Sequence, residues 1–246
     1  MTIRIIGIDC ATQAKNVGLA RGTFANGKTQ IDEVILGSGN TPLIDIIADW
    51  TYDNSKVLLA FDAPLGWPIS LGKELQDHEA GNPLKTEPNQ LFRRSTDQFI
   101  KSKIGKQPLD VGADRIARTA HAALGLLEEI RIRTNQAIPL AWEPVIQKGK
   151  SAIEVYPAAT LIAHKINASG YKRRESIELR KILVDDLRTL LDLPANVSLM
   201  ENNDDALDSV ICVLAGADFL SGQVYLPTDQ ILATKEGWIW VKNDGA

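Results

Sequence analysis

The stretch VLLAFDAPLGWP, residues 57–68, is an apolar run that ends at one acid, Asp62. A continuous apolar run of this length is typical of a strand buried on both faces of a parallel sheet. Pro64, Gly66 and Pro68 follow the acid, and residues of these types end a strand. The stretch therefore predicts a buried parallel strand whose last side chain is a carboxylate.

The residues before this stretch predict three further strands and one helix. The strands are IRIIGIDCA, which ends at Asp9, then NVGLARGTFA and TQIDEVILG. The hairpin signal NGK at 26–28 joins the second strand to the third, so the three strands are expected to form an antiparallel meander. Thr41 is expected to cap the helix LIDIIADWT, with Pro42 in its first turn. Because this helix lies between two strands, it implies a crossover and a parallel partner for the strand at 57–62.

The residues after this stretch predict an insertion followed by alternating helices and strands. The insertion, about 67–110, is rich in Pro, Gly, Lys and Asn and is expected to be irregular, with a helix only near 95–103. The later elements are the long helix GADRIARTAHAALGLLEEIRIRT, the strand SAIEVYPAA, the amphipathic helix KRRESIELRKILVDDLRTLL, the last long helix NDDALDSVICVLAGADFLSG and the short strand EGWIWV. No internal repeat or clean linker divides the chain, so we expect a single domain over residues 1–246.

Composition is that of an ordinary globular protein. The chain has 246 residues, of which 44% are apolar and 24% charged. No apolar run reaches the length of a membrane span, and the start MTIRIIGIDCA has no long apolar signal core. We therefore expect a cytoplasmic protein without a membrane partner. Cys10 and Cys212 lie inside predicted elements and lack a Cys-x-x-Cys spacing, which favours buried free thiols.

The charge distribution limits the class of partner. A net charge of −4 argues against a general nucleic-acid coat protein. Two segments are nevertheless basic: residues 93–106 hold five bases and one acid, and residues 165–181 hold six bases and two acids. Each segment fits either a solvated surface or a rim that faces phosphates.

Three of the predicted strands end in acids, which are Asp9, Asp62 and Glu154. In an open α/β sheet, ligands bind outside the carboxyl ends of the parallel strands. If these strands are neighbours, their carboxylates converge there and repel one another. A hard divalent cation removes this cost, because it prefers oxygen ligands from carboxylates and phosphates. As an alternative for each acid alone, a strand-end Asp can serve as a turn former or cap.

The last long helix carries two further acids on a face of small residues. At about 100° per residue, its large apolar stripe consists of Leu207, Val210, Ile211 and Leu214. The neighbouring face consists of Asp205, Asp208, Ser209, Cys212 and Gly216. A helix with a small-residue face can lie close to a sheet, which brings Asp205 and Asp208 toward the strand ends. Asp204 is expected to be the helix cap.

The order of elements, with the motifs GIDCA, DAPLG, FRRSTD, EVYPAA, DDALDSVICVLAGA and EGWI, resembles the ribonuclease H-like superfamily. Within it, the chain is similar to the predicted-nuclease family known as domain of unknown function 429. The resemblance covers nearly the whole chain. It implies an α/β fold with a mixed five-stranded sheet of order 3-2-1-4-5, flanking helices and an irregular insertion after the fourth strand.

The resemblance also implies a metal-dependent phosphodiester hydrolase. Asp9 and Asp62 match the first two metal-binding acids, and Asp208, with Asp205 one turn earlier, matches the acid pair of the last helix. The implied catalytic set is Asp9, Asp62, Asp205 and Asp208, and the implied metal ligands are Asp9, Asp62, Asp208 and Glu154. The metal is expected to be Mg²⁺ or Mn²⁺. Candidate phosphate-binding residues are Arg93, Arg94, Lys172 and Arg173, while Asp97 is expected to orient Arg94.

The expected partner is nucleic acid or a nucleotide, and the negative net charge disfavours a long duplex. Two other functions stay open. One is a phosphotransferase of the actin-like ATPase type, although GIDCATQAKNVGLA lacks the glycines of a phosphate loop. The other is a non-catalytic binding module on the same fold. His78, His121 and His164 are scattered along the sequence, which disfavours a serine- or cysteine-type triad.

Overall fold

A computed structural model describes residues 2–38, 41–52, 56–112, 114–146, 149–243 and 245. Its strands are β1 (Thr2–Asp9), β2 (Gly18–Ala25), β3 (Lys28–Leu36), β4 (Lys56–Asp62) and β5 (Lys150–Glu154). Its helices are α1 (Leu43–Trp50), α2 (Ile69–Leu75), α3 (Pro88–Phe92), α4 (Ser95–Ile104), α5 (Asp114–Thr134), α6 (Pro157–Ala163), α7 (Ile177–Leu187), α8 (Ser198–Asn202), α9 (Asp204–Leu220) and α10 (Gln230–Glu236). In the described part of the chain, no helix is both long and apolar enough to cross a bilayer.

The sheet has the predicted order β3-β2-β1-β4-β5. β1 pairs antiparallel with β2 and parallel with β4, and β4 pairs parallel with β5. Asp9 and Asp62 are direct partners in the register of β1 and β4. Glu154 is level with Phe61, one residue before Asp62. Because successive side chains of a strand point to opposite faces, Glu154 is directed to the face opposite to that of Asp9 and Asp62.

Helix α9 lies against one face of the sheet at close range. A Cβ on Gly7 of β1 would stand 2.0 Å from the carbonyl oxygen of Ser209, and a Cβ on Gly18 of β2 would stand 2.0 Å from that of Asp205. Gly216 has the same role on the helix, because its Cβ would stand 2.7 Å from Ile5. The predicted small-residue face of the last helix therefore does contact the sheet. Its apolar stripe belongs to the core cluster that α9 shares with α7, α8 and residues of β1, β2 and β3.

Helices α1 and α5 cover the opposite face. Ile47 of α1 and Ala123, Leu127 and Ile130 of α5 are buried against the β1 and β4 side chains that point to this face. With α9 on the first face, β1 and β4 are covered on both sides. This explains why the sequence of β4 is a continuous apolar run rather than an alternating one.

Several predicted boundaries differ from the structure. Helix α1 begins at Leu43, with Pro42 rather than Thr41 in the capping position. Asn203, not Asp204, caps α9: its side chain accepts a 2.8 Å hydrogen bond from the amide of Ala206. An Asn oxygen at this position satisfies an N–H that the first turn leaves without a helical partner.

The insertion, the amphipathic helix and the closing strand also differ. The insertion contains α2 and α3 in addition to the predicted α4. Helix α7 begins only at Ile177, so the basic residues 172–174 precede it. The closing segment makes isolated bridges, such as Ile239 with Glu154, rather than a regular strand.

Candidate metal centre

The three acids that end β1 and β4 and begin α9 meet at one point. Asp9 and Asp62 stand side by side because they are register partners at the carboxyl ends of adjacent parallel strands. Asp208 reaches them from α9, which the glycines of β1 and β2 hold close to the sheet. Each residue offers a carboxylate oxygen, and these oxygens lie within 4.8 Å of one another. Asp9 and Asp208 are only 9% and 1% exposed.

Burial raises the pKa values of all three acids. Burial raises the pKa of Asp62 to about 7; the charge of Lys172 opposes the shift, and the charges of Asp208 and Glu154 add to it. The pKa of Asp9 lies well above its usual range because of burial and the charges of Asp208 and Asp62. Burial also raises the pKa of Asp208, and Lys172 opposes this only in part.

The donor set fits a divalent cation. Three buried carboxylates carry more negative charge than Lys172 neutralises, which is why protonation is favoured. A cation held by Asp9, Asp62 and Asp208 would replace those protons, and all three donors are the hard oxygens that Mg²⁺ and Mn²⁺ prefer. Residues on the described part of the chain therefore form a site that suits the predicted metal.

Asp205 borders this cluster without belonging to it. Its side chain is half-buried and hydrogen-bonds with Asp9. Burial and the charges of Asp204 and Asp208 raise the pKa of Asp205. The structure thus places Asp205 beside Asp9, within hydrogen-bonding reach of that carboxylate.

A short segment before α7 holds Asp208 in place. The hydroxyl of Tyr171 donates a 2.6 Å hydrogen bond to Oδ1 of Asp208, and Nζ of Lys172 contacts Oδ2. The buried guanidinium of Arg180 supports the segment by donating to the carbonyl oxygens of Tyr171, at 2.7 Å, and Arg173, at 2.9 Å. Sequence reasoning found Lys172 as a basic residue but missed Tyr171, which carries no local motif.

Glu154 and Arg94 form a separate buried network. Arg94 donates to both Glu154 oxygens, at 2.7 and 2.8 Å, and to both Asp97 oxygens, at 2.9 and 3.2 Å. The amide of Leu65 also donates to Glu154, at 2.9 Å. The role of Asp97 in holding Arg94 agrees with the prediction.

Two expected roles do not fit this geometry. Glu154 is not among the clustered metal donors, because its register turns it to the other face of the sheet, where Arg94 neutralises it. Arg94 is 1% exposed and its donors are occupied, so it is not free to bind a phosphate.

The remaining predicted cations occupy different places. Arg93 is ion-paired with Asp110 at 2.9 Å and lies outside the lining of the cavity described next. Arg173 is exposed and also lies outside it. Of the four candidate phosphate-binding residues, only Lys172 contacts one of the clustered acids, through its ion pair with Asp208.

Asp9 and Asp62 line a cavity of about 560 Å³. Its walls come from residues 106–109 of the insertion, from Ile116 and Thr119 of α5, and from the segment with Tyr171 and Lys172. The insertion therefore borders the site.

Both cysteines are free, as predicted. Cys10 lines the cavity beside Asp9. Cys212 is buried on α9, and both sulfurs approach the carbonyl oxygen of Ile8, at 3.7 and 3.9 Å. Burial, followed by the charges of Asp9 and Asp62, raises the pKa of Cys10 well above its usual value, so this thiol stays protonated.

A mixed sheet of order 3-2-1-4-5, with an acid cluster at the ends of β1 and β4, defines a ribonuclease H-like protein. The chain belongs to the family described as protein of unknown function (DUF429), whose model matches residues 7–231. The carboxylate cluster fits a divalent metal ion.

No curated protein sequence matches the chain. Among solved structures, the chain is similar to T. thermophilus RuvC in complex with Holliday junction substrate. The sequence identity is 13%, the match covers 87% of this chain and 97% of that chain, and the TM-score is 0.34. The fold class rests on the sheet order and not on this distant likeness.

Proposed function

We propose that this protein is a divalent-metal-dependent phosphodiester hydrolase. The observation that carries the proposal is the convergence of Asp9, Asp62 and Asp208, whose carboxylate oxygens lie within 4.8 Å of one another, with Asp9 and Asp62 lining a cavity. Buried like charges at this distance are costly. A divalent cation bound between the three carboxylates would offset this cost and would supply the charge that phosphoryl chemistry needs.

The roles of the residues follow from their positions. Asp9, Asp62 and Asp208 hold Mg²⁺ or Mn²⁺, and Asp205 orients Asp9 through its hydrogen bond. A bound divalent cation supplies Lewis-acid polarisation of a phosphoryl oxygen and stabilises the negative charge that develops on it. Lys172, which contacts Asp208 and lines the cavity, binds a phosphate oxygen. None of the residues that line this cavity is a histidine, so the proposal uses no histidine base.

Two alternatives make different predictions. A non-catalytic module on the same fold would bind a cation or ligand at the acids without hydrolysing phosphodiesters. An actin-like phosphotransferase would need a second lobe and a phosphate loop. The described residues form one five-stranded sheet, and no glycine occurs between Asp9 and Gly18. The site therefore favours hydrolysis over phosphotransfer.

The test is metal-dependent hydrolysis by the full chain. Bis(p-nitrophenyl) phosphate is a small diester whose product is coloured, and activity is expected with Mn²⁺ or Mg²⁺ and not with EDTA. Asp9→Asn and Asp62→Asn should abolish the activity and retain the circular dichroism spectrum. Asp77→Asn, at an exposed position, is the matched control and should behave as wild type. Full metal-dependent activity in Asp62→Asn would contradict the proposal, and metal binding without hydrolysis would favour the non-catalytic module.

A further inference from the structure

We infer that the cavity binds one unpaired nucleotide unit, so that the substrate is a dinucleotide or an unpaired strand and not a continuous duplex. This inference rests on the proposed hydrolase function and narrows its substrate. Four observations support it: the shape of the cavity at Asp9 and Asp62, its apolar lining, its small number of positive charges and the attachment of the insertion that borders it.

The first argument is enclosure. Asp9 and Asp62 line a concave volume of about 560 Å³ and do not lie on a flat surface. This volume falls within the range of about 300–1,000 Å³ that is typical of sites for small molecules. The walls come from separate parts of the chain: the insertion, α5, α6 and the segment that contains Lys172. A phosphate at the acids would lie between these walls, and the volume between them matches one unpaired nucleotide better than a base-paired, stacked duplex.

The second argument is the apolar lining. Pro108, Leu109, Ile116 and Tyr156 line the cavity, together with the cationic and acidic groups at its floor. The Tyr156 hydroxyl is close enough to the acids that burial, followed by the charge of Asp62, raises its pKa to about 12. An apolar wall with an aromatic ring suits the flat face of an unpaired base, because stacking on such rings is tolerant of base identity. In a duplex this face is already stacked on neighbouring base pairs.

The third argument is the amount of positive charge. Lys106 and Lys172, one from each basic segment of the sequence, line the cavity. Arg94 also lines it but is occupied by Asp97 and Glu154. Proteins that bind long duplexes neutralise many phosphates with basic residues, and this chain has a net charge of −4. The positive charge of two lysines and one bound metal ion is enough to neutralise one or two phosphates, and not the many phosphates of a long duplex.

The fourth argument is that the insertion wall is fixed in place. The carboxylate of Glu236 accepts hydrogen bonds from the amides of Ile69, at 2.9 Å, and Ser95, at 2.8 Å. The amide of Val111 donates to the carbonyl oxygen of Phe92 at 3.2 Å. With the Arg94 network, the bonds of Ile69 and Ser95 attach the part of the insertion before residues 106–109 to the rest of the domain. The Val111 bond joins the end of the insertion to its own residue Phe92.

The experiment compares substrates of one sequence in Mn²⁺ with the full chain. They are a thymidine dinucleotide, an unpaired oligonucleotide, the same oligonucleotide in a blunt duplex, and a four-way junction. We expect the first two to be cleaved at least about tenfold faster than the last two, which is a barrier difference of about 1.4 kcal/mol. Cleavage of the dinucleotide would show that two linked nucleotides suffice as a substrate. Cleavage of the unpaired oligonucleotide but not of the dinucleotide would show that the bound nucleotide must belong to a longer strand.

A matched pair of variants on one helix tests the cavity itself. Ile116→Trp fills part of the α5 wall, and Ile132→Trp makes the same change at a position on α5 that is 72% exposed. Ile116→Trp should raise KM for the unpaired substrate about tenfold or more and keep the rise in Tm that Mn²⁺ causes. Ile132→Trp should change neither. Thymidine 5′-monophosphate should compete with the unpaired substrate in wild type, which tests the inference even if Ile116→Trp does not fold.

The outcomes separate the two proposals. Equal rates on duplex and unpaired substrates, or failure of the monophosphate to compete, would overturn the inference and leave the hydrolase function standing. If a folded protein that binds Mn²⁺ cleaves none of the substrates, the proposed function fails and the inference fails with it.

Discussion

Arg94 and Glu154 are joined by two hydrogen bonds, of 2.7 and 2.8 Å, although 60 residues separate them along the chain. Both side chains are buried. Burial by itself lowers the pKa of the Arg94 guanidinium, but the charges of Glu154 and Asp97 raise it above its usual value. The pair attaches the start of α4 to the end of β5, so it fixes the insertion beside the acids.

We predict that Arg94→Met is strongly destabilising. Removing one partner leaves Glu154 and Asp97 buried without a counter-charge, which typically costs about 3–5 kcal/mol. Arg93→Met is the matched control, because Arg93 pairs with Asp110 at a position where both side chains are about one-third exposed. Such exposed pairs contribute about 0–1 kcal/mol. Urea unfolding of both variants measures the difference, and equal losses of stability would contradict the structural role of Arg94.

Divalent metal is predicted to stabilise the fold through Asp62. At a Mn²⁺ concentration one hundred times Kd, the free energy of unfolding should rise by about 2.7 kcal/mol. For a chain of this size that is an increase of about 5–11 °C in Tm. Asp62→Asn should lose most of this increase, and its Tm in EDTA should equal or exceed that of wild type, because one of the repelling carboxylates is gone. Asp77→Asn should respond to Mn²⁺ as wild type does; a wild-type increase retained in Asp62→Asn would argue against a metal site here.

The acid cluster also predicts how stability depends on pH in the absence of metal. The pKa of Asp62 is raised from an ordinary value of 3.8 to about 7 in the folded state. Between these values the folded protein keeps a proton that the unfolded chain has released. The contribution of Asp62 to the free energy of unfolding is therefore complete below pH 3.8 and is lost as the pH rises toward 7.

The measurement is urea unfolding in EDTA from pH 4 to pH 8, for wild type and for Asp62→Asn. Relative to the variant, wild type should lose stability as the pH rises through this interval. Metal binding should show the opposite trend: Mn²⁺ needs deprotonated carboxylates, so its affinity rises toward pH 7 and binding releases protons. Parallel pH curves for the two proteins would show that Asp62 does not carry the shift.

Lys172 is predicted to contribute to substrate binding, in contrast to the neighbouring Arg173. Lys172 contacts Asp208 and lines the cavity, whereas Arg173 is exposed outside it. A hydrogen bond to a charged group contributes about 1.5–3 kcal/mol, so Lys172→Met should lower kcat/KM by about 10–100-fold. Arg173→Met should change kcat/KM by less than about twofold. Equal effects in steady-state assays would indicate a diffuse basic rim instead of a specific lysine.

The sequence predicts the centre of the sheet well because the signals there are local. The apolar run before Asp62, the hairpin signal between β2 and β3, and the crossover helix predict the antiparallel meander and a parallel partner for β4, whereas the full strand order was implied by the family resemblance. Once β1 and β4 are parallel neighbours, Asp9 and Asp62 must end at the same edge. Glu154 shows the limit of this reasoning, because a difference of one residue in register moves a side chain to the other face, and register is not visible in a motif.

The supporting residues were harder to predict because their partners are distant in sequence. Arg94 looked like a surface cation in a basic segment. Its burial depends on Glu154 and on the carbonyl oxygen of Glu236, which lie 60 and 142 residues away. Tyr171 contacts Asp208 across 37 residues and belongs to no motif. In both cases the chemical role is created by the tertiary structure.

The position of Asp208 is predicted to depend on Gly7 of β1, because a glycine there lets α9 lie close to the sheet. A Cβ on Gly7 would stand 2.0 Å from the carbonyl oxygen of Ser209, a distance that real Cβ atoms essentially never show. Gly7→Ala must therefore push α9 away from β1, and Asp208 moves with the helix. We expect lower stability together with weaker Mn²⁺ binding, measured by urea unfolding and by the increase in Tm with metal.

Gly125→Ala is the matched control, because Gly125 lies on α5 and a Cβ there would meet nothing within 4 Å. In an exposed helix interior, replacing Gly by Ala typically stabilises by about 0.5–1 kcal/mol. The same substitution should thus have opposite signs at the two positions, and only Gly7→Ala should weaken metal binding. If Gly7→Ala lost stability but bound Mn²⁺ as wild type does, the close approach of α9 to the sheet would serve packing alone, and Asp208 would not depend on it.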